Sequence, residues 1–173
     1  MTGSDDKTWA RHFSQRKIIA IDPGKAGGIA VYNCETKKVI ALTTMPETPS
    51  DLLSFIKRYR KNSRVYMELV GGLPKMGGSA MFNFGKGFGH LEMAILSCDI
   101  PVVEVRPQEW QKALGTGNKG QRTTNQWKTK LKEIAQKRWP GVEREFGLKN
   151  KTQWLSVSDA LLILEYGRLK ENE

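Results

Sequence analysis

The chain has little sulfur and little imidazole: two cysteines, Cys34 and Cys98, and two histidines, His12 and His90, in 173 residues. Cysteines so few and so far apart frame neither a disulfide scaffold nor a thiolate zinc site, and both read as the reduced thiols of an intracellular protein. A single histidine on a helix, as His90 is, reads first as a packed or surface residue. No apolar run approaches the length of a membrane span. The first sixteen residues lack the apolar core of a signal peptide and read as a disordered polar leader, which leaves residues 17–171 as one domain. Negative charge is also scarce. Eighteen acidic residues face 28 basic ones, for a net charge of +10 and a pI near 9.7, so the expected partner is an anion. Between Arg106 and Trp139 nine basic and two acidic residues leave +7 over 34 residues. A solvated helix face usually mixes its signs, and nucleic acid is the partner this segment suits.

What the chain does have is organised around Lys17–Tyr32. The apolar run Lys17-Ile18-Ile19-Ala20-Ile21 ends in Asp22, a turn with Pro23 and Gly24 follows, and Gly28–Tyr32 leads away. This reads as a buried strand and its hairpin partner. Lys38–Thr44 adds a third strand to complete an antiparallel meander. Ser50 is placed to cap a helix over Asp51–Tyr59. Arg64–Val70 and Pro101–Val105 read as two further strands, and the helices around them imply crossovers and parallel pairing. A helix spans His90–Leu96, with small residues that suit close packing or a dimer contact. Another runs from Asn125 to Arg138, and Val157–Leu169 closes the fold. The expected class is α/β, a five-stranded mixed sheet flanked by helices. No internal repeat is present.

Gly71–Gly89 interleaves seven glycines with Phe82, Phe84, Phe88, Lys75 and Lys86. Glycine lets backbone approach a ligand, and aromatic rings offer faces on which bases stack. The phenylalanines equally suit the buried face of the next helix. Lys119 and Arg122, in a glycine-rich loop, and Lys128 and Lys130, on the helix after it, are candidates to neutralise phosphates with Lys75 and Lys86.

Three carboxylates fall at structural junctions: Asp22, Glu68 and Asp159. An unpaired carboxylate at the end of a core strand is costly, so a cation is a natural companion, although a turn aspartate beside Pro-Gly is also common. Asp159 likewise fits a capping box with Ser156. Clustered carboxylates raise one another's pKa unless cations hold them, and oxygen donors alone favour Mg²⁺ or Mn²⁺. Two such ions about 3.5–4 Å apart support phosphodiester hydrolysis. Beside a basic surface, this pattern points to a metal-dependent nuclease.

In this order, Ile19-Ala20-Ile21-Asp22-Pro23-Gly24-x-x-Gly27-Gly28, Val65-Tyr66-Met67-Glu68, Phe82-x-Phe84-Gly85-x-Gly87-x-Gly89, Pro107-x-x-Trp110 and Ser158-Asp159-Ala160 through Gly167 resemble the RuvC-type Holliday junction resolvases, nearer the phage and organellar branches. The resemblance implies an RNase H-like fold, a homodimer, two Mg²⁺ (or Mn²⁺) per site held by Asp22, Glu68 and Asp159, and paired nicks in four-way DNA junctions, with Phe82 or Phe84 at the junction centre. It also implies a cytoplasmic or nucleoid-associated protein of host or phage. The family usually carries a fourth acid before the helix carboxylate, commonly by three positions, and Ser156 stands there. Three acids then suffice, or Glu145 folds in, or one metal binds weakly. A junction-binding protein that has lost catalysis and a nuclease of RNA–DNA hybrids remain alternatives. An actin-like kinase would need about two such domains, more than this length supplies.

Overall fold

The computed structural model describes residues 16–70 and 77–172. Residues 1–15, nearly the whole expected leader, and residues 71–76, which include Lys75, lie outside the described residues.

Strands β1 (Lys17–Asp22), β2 (Gly28–Asn33) and β3 (Lys38–Thr44) form the expected meander; β4 (Ser63–Glu68) and β5 (Val102–Val105) complete the sheet. The strand order is β3-β2-β1-β4-β5. The meander pairs are antiparallel, and β1 pairs with β4, and β4 with β5, in parallel. Among the described residues six helices flank it: α1 (Pro49–Tyr59), α2 (Gly78–Leu96), α3 (Pro107–Ala113), α4 (Thr124–Arg138), α5 (Val142–Glu145) and α6 (Lys151–Glu171). This is the mixed α/β architecture that the patterning implies.

Strand side chains alternate between faces. Ile19 and Ile21 of β1, with Val65 and Met67 of β4, pack in one core with Leu52 and Ile56 of α1 and Leu91, Ala94 and Ile95 of α2. Ile18 and Ala20, with Tyr66, pack in the other with Trp110 of α3, Trp127 and Leu131 of α4, and most of α6. Both faces are covered, which is why the inner strands read as continuous apolar runs. The α6 helix lies against the sheet with little clearance. A Cβ on Gly167 would come within 2.9 Å of the Tyr66 ring, and one on Gly28 within 2.7 Å of the Ser156 carbonyl oxygen.

Three helices start earlier than the sequence suggests. Thr48, not Ser50, caps α1, accepting from Asp51 N at 3.1 Å; Pro49 then occupies the first turn, where its missing N–H costs nothing. The α6 helix begins at Lys151 rather than Val157, capped by Asn150, whose side chain accepts from Gln153 N at 3.0 Å. The α2 helix begins at Gly78 rather than His90, so Phe82 and Phe84 are helical. Glycine's poor helix propensity hides this start, and tertiary packing of Phe88 against the α1–α2 core overrides it.

Gly28→Ala should lower stability by roughly 1–3 kcal/mol, because the new methyl meets two backbone oxygens that cannot rotate away. Thermal unfolding checks it, with an expected fall of about 2–4 °C per kcal/mol for a chain of this size.

Candidate metal centre

The parity of β1 decides where Asp22 goes. It follows Ile18 and Ala20 at even spacing, so its carboxyl emerges on the α6 face at the C-terminal end of the strand. Glu68 follows Tyr66 by two and takes the same face of β4. The parallel register pairs Ile21 with Met67, so Asp22 and Glu68 are the next positions on neighbouring strands. From above, α6 brings Asp159, one turn beyond the Ser156 carbonyl that touches Gly28. The expected reading of Asp159 as a first-turn capping residue is overturned. It lies in the third turn of α6, and Ser156 caps nothing: its hydroxyl donates to the Thr152 carbonyl at 3.1 Å, and that of Ser158 to Trp154.

The turn after β1 is shaped to leave Asp22 clear. Gly24 adopts φ +108°, a left-handed conformation suited to glycine. The Gly27 N–H donates to the Gly24 carbonyl at 3.0 Å, and any Cβ on Gly27 would overlap the Asp22 carbonyl oxygen at 2.0 Å.

The three carboxyls repel one another in a poorly solvated setting. Each keeps only a strip of surface open, while most of its surroundings are protein. Burial, then the charges of Asp159 and Glu68, push Asp22 well above the ordinary carboxylate range, with Lys128 opposing. Burial raises Glu68 to about 7; a hydrogen bond from Trp110 opposes this, Asp159 adds to it, and Lys128 opposes it. Burial raises Asp159 to about 6, again against Lys128. The Asp22–Asp159 repulsion is a property of the pair.

Glu68 has one firm partner: Trp110 Nε1 donates to its Oε2 at 2.8 Å. No hydrogen bond or ion pair reaches Asp22 or Asp159 among the described residues. No three His, Cys, Asp or Glu side chains among the described residues converge closely enough to hold a metal ion as they stand. The donor set nevertheless fits a hard divalent cation in chemistry and in charge: oxygen donors only, buried, and short of positive charge.

The other expected site residues divide. Lys128 of α4 faces the three carboxylates. Lys130 instead lies over the Trp127 ring, 5.4 Å from its centroid. Lys119 donates to Thr124 Oγ1 at 3.0 Å, and Arg122 folds back on the carbonyls of Asn118 and Lys119, so both are held at the start of α4. On α2, Phe84 packs toward Gly24, with a ring atom 3.4 Å from where a Cβ would stand, and stacks on Phe88 at 6.4 Å between centroids. Phe82 is 70 % exposed, and Lys86 is exposed. Glu145 sits exposed in α5. The Trp110 contact was not foreseen from the sequence, although Pro107-x-x-Trp110 marked the residue.

No protein-family model matches the sequence, and no curated protein matches it. Solved structures do. RuvC of Thermus thermophilus in complex with a Holliday junction substrate superposes with a TM-score of 0.54 at 18 % identity, over 88 % of this chain and 96 % of that one. A second Thermus thermophilus RuvC structure gives 0.54 at 19 % identity, over 89 % and 96 %. The fowlpox virus Holliday junction resolvase gives 0.51 at 15 % identity, over 90 % and 99 %. Likeness at this identity establishes the fold alone, an RNase H-like fold shared with these proteins. With two matches bacterial and one viral, it assigns no branch.

The raised carboxyls fix a sign for stability against pH. A carboxyl with a higher pKa folded than unfolded favours the fold while it holds its proton, and costs stability as pH rises from its unfolded value through its folded one. With chelator present, the unfolding midpoint should therefore fall between about pH 4.5 and pH 7. Asp22→Asn should raise the midpoint at pH 8 by several degrees and flatten that slope. A midpoint that climbs over this range would contradict the assigned environment.

Proposed function

We propose that the chain is a structure-specific DNA endonuclease that resolves four-way junctions by metal-dependent phosphodiester hydrolysis. What supports this reading is that the charges of Glu68 and Asp159 reach Asp22 at the strand ends beside α6, all three half-buried with little opposing charge, in a fold shared with RuvC. In this reading Asp22, Glu68 and Asp159 would hold Mg²⁺, two ions per site, with Mn²⁺ able to substitute. Bound there, the ions supply Lewis acidity at the scissile phosphate and activate water. The carboxylates fix where charge can develop, and the glycine turn at 24–28 keeps the approach to Asp22 open. Lys128 opposes the carboxylate charge and draws the phosphate inward.

The partner is branched DNA. Lys86, Lys119, Arg122 and Lys130, with Lys75 from outside the described residues, contact phosphates without reading sequence. Exposed Phe82 stacks at the opened junction centre, and Phe84 supports the turn beneath it. Two copies act together, since paired nicks need two sites. Exposed Met93 and Leu96 of α2 offer an apolar surface for the second copy. The protein acts wherever branched DNA lies, in the cytoplasm or nucleoid. No helix among the described residues is long and apolar enough to cross a membrane.

A second reading is favoured by Ser156. With a hydroxyl where a fourth acid is usual, and no ready cluster before an ion arrives, the chain would be a junction-binding protein with weak catalysis. Wild-type protein incubated with a synthetic four-way junction and Mn²⁺ separates the two: symmetric paired nicks establish the nuclease, and binding without nicks leaves the second reading.

Given cleavage, Asp22→Asn should reduce its rate at least about a hundredfold while junction affinity in chelator changes less than about threefold. Cleavage at the wild-type rate would show the metal site to be misassigned. Ser156→Asp should restore a fourth ligand and lower the Mg²⁺ concentration for half-maximal cleavage severalfold. An unchanged or higher requirement would mean that position 156 does not face the ions.

A further inference from the structure

We infer that Trp110 is a positioning residue, whose indole N–H fixes one oxygen of Glu68 so that the other is presented to the cation; the inference rests on the reading of Glu68 as a metal ligand. A glutamate at a strand end has three rotatable bonds to immobilise. Trp110 removes much of that freedom with a single bond of 2.8 Å to Oε2. Oε1 has no hydrogen-bond partner among the described residues.

The donor is itself fixed from three directions. Parallel pairing sets Val105 of β5 opposite Glu68, and Leu69 N extends the ladder to the Val105 carbonyl at 2.9 Å. The chain then turns at once into α3. Arg106 N donates to Glu109 Oε2 at 2.9 Å, and Pro107 sets the first helical φ. Trp110 follows one turn later, 1 % exposed, in the core shared with α4 and α6. At the far end Arg138 of α4 donates to the Leu114 carbonyl at 2.8 Å. The indole cannot swing away without opening that core.

A buried indole N–H needs some acceptor, and a backbone carbonyl would serve. Trp139 does just that in the same core, donating to the Leu161 carbonyl at 3.1 Å. The two tryptophans differ in the acceptor they use: Trp110 gives its donor to a carboxylate at the candidate site. Residues that hydrogen-bond to metal ligands typically change metal affinity or activity 10- to 100-fold when lost.

Trp139 is thus the control. Mn²⁺ binding is measured by calorimetry, beside thermal midpoints in chelator and Mg²⁺-dependent junction cleavage, for wild type, Trp110→Phe and Trp139→Phe. The expected result is Mn²⁺ binding weakened about tenfold or more in Trp110→Phe alone, with both variants losing similar thermal stability. Equal Mn²⁺ affinity in the two variants would overturn the positioning role and leave the metal site standing. If the wild type neither binds Mn²⁺ nor cleaves, the metal reading itself falls, and this inference with it. Should Trp110→Phe fail to fold, the sulfur isostere of tryptophan, β-(3-benzothienyl)alanine at position 110, keeps the shape and deletes only the donor; wild-type Mn²⁺ affinity in that protein would equally overturn the role.

Discussion

A carboxylate withdrawn from water must find compensation, and the way α6 distributes that compensation orders the whole α6 face of the sheet. The helix turns three acids toward the protein. Glu165 is clasped by Arg168 at 2.8 Å and Arg138 at 3.6 Å. Glu171 meets Arg64 at 2.8 Å, Arg16 at 3.2 Å and the Tyr66 hydroxyl at 2.8 Å. Burial pushes Glu171 up, yet those bonds hold it below its ordinary range. Asp159 has no such clasp and rises to about 6. The chain has 28 basic residues to spend, and it leaves this one end of α6 short. Arginines from α4, β4 and α6 itself clasp the other two acids of this helix, and the absence of such a clasp at Asp159 is what the metal reading of the site rests on.

The surrounding backbone follows from keeping that deficit accessible. Asp22 reaches the α6 face only because β1 keeps strict alternation through the four apolar residues Ile18–Ile21. Glycines at 24 and 27 keep the next turn from closing over it. Gly27 and Gly28 are both excluded from substitution by backbone atoms, those of Asp22 and of Ser156 and Thr43 respectively. The same close seating of α6 on the hairpin that forbids a Cβ at Gly28 sets the height of Asp159 above the strand end.

Much of this was legible in the residues. The meander and the parallel pairing follow from apolar runs, hairpin turns and crossovers, and two carboxylates at strand ends, Asp22 and Glu68, mark themselves by their cost. Helix starts were less legible where polar or glycine-rich turns precede the apolar stripe. The first turns of α6 read as loop until Asn150 is seen to cap them, and the glycines of α2 read as loop until Phe88 is seen in the core. The division of labour among the lysines was hidden as well. Lys128 and Lys130 are two residues apart on one basic helix, but a helix turns about 100° per residue. One faces the carboxylates, and the other lies along Trp127. Trp110 carried a signal in its motif, but the acceptor of its N–H lies on another strand, 42 positions earlier, and only the parallel β4–β5 register brings them together.

Charge counting shows what Ser156 implies on the metal reading. With Asp22, Glu68 and Asp159 ionised and Lys128 opposing, the site stands at −2, so one divalent cation neutralises it. A second leaves +2, a surplus that is costly in a poorly solvated pocket and is offset only when an anionic phosphodiester is present. A fourth carboxylate at position 156 would have put the free site at −3, able to draw toward two ions without DNA. On that reading the serine, its hydroxyl already spent on Thr152, would tie the second ion to the substrate. Occupancy of the full site would then depend on the phosphate charge that the basic residues of α4 would attract.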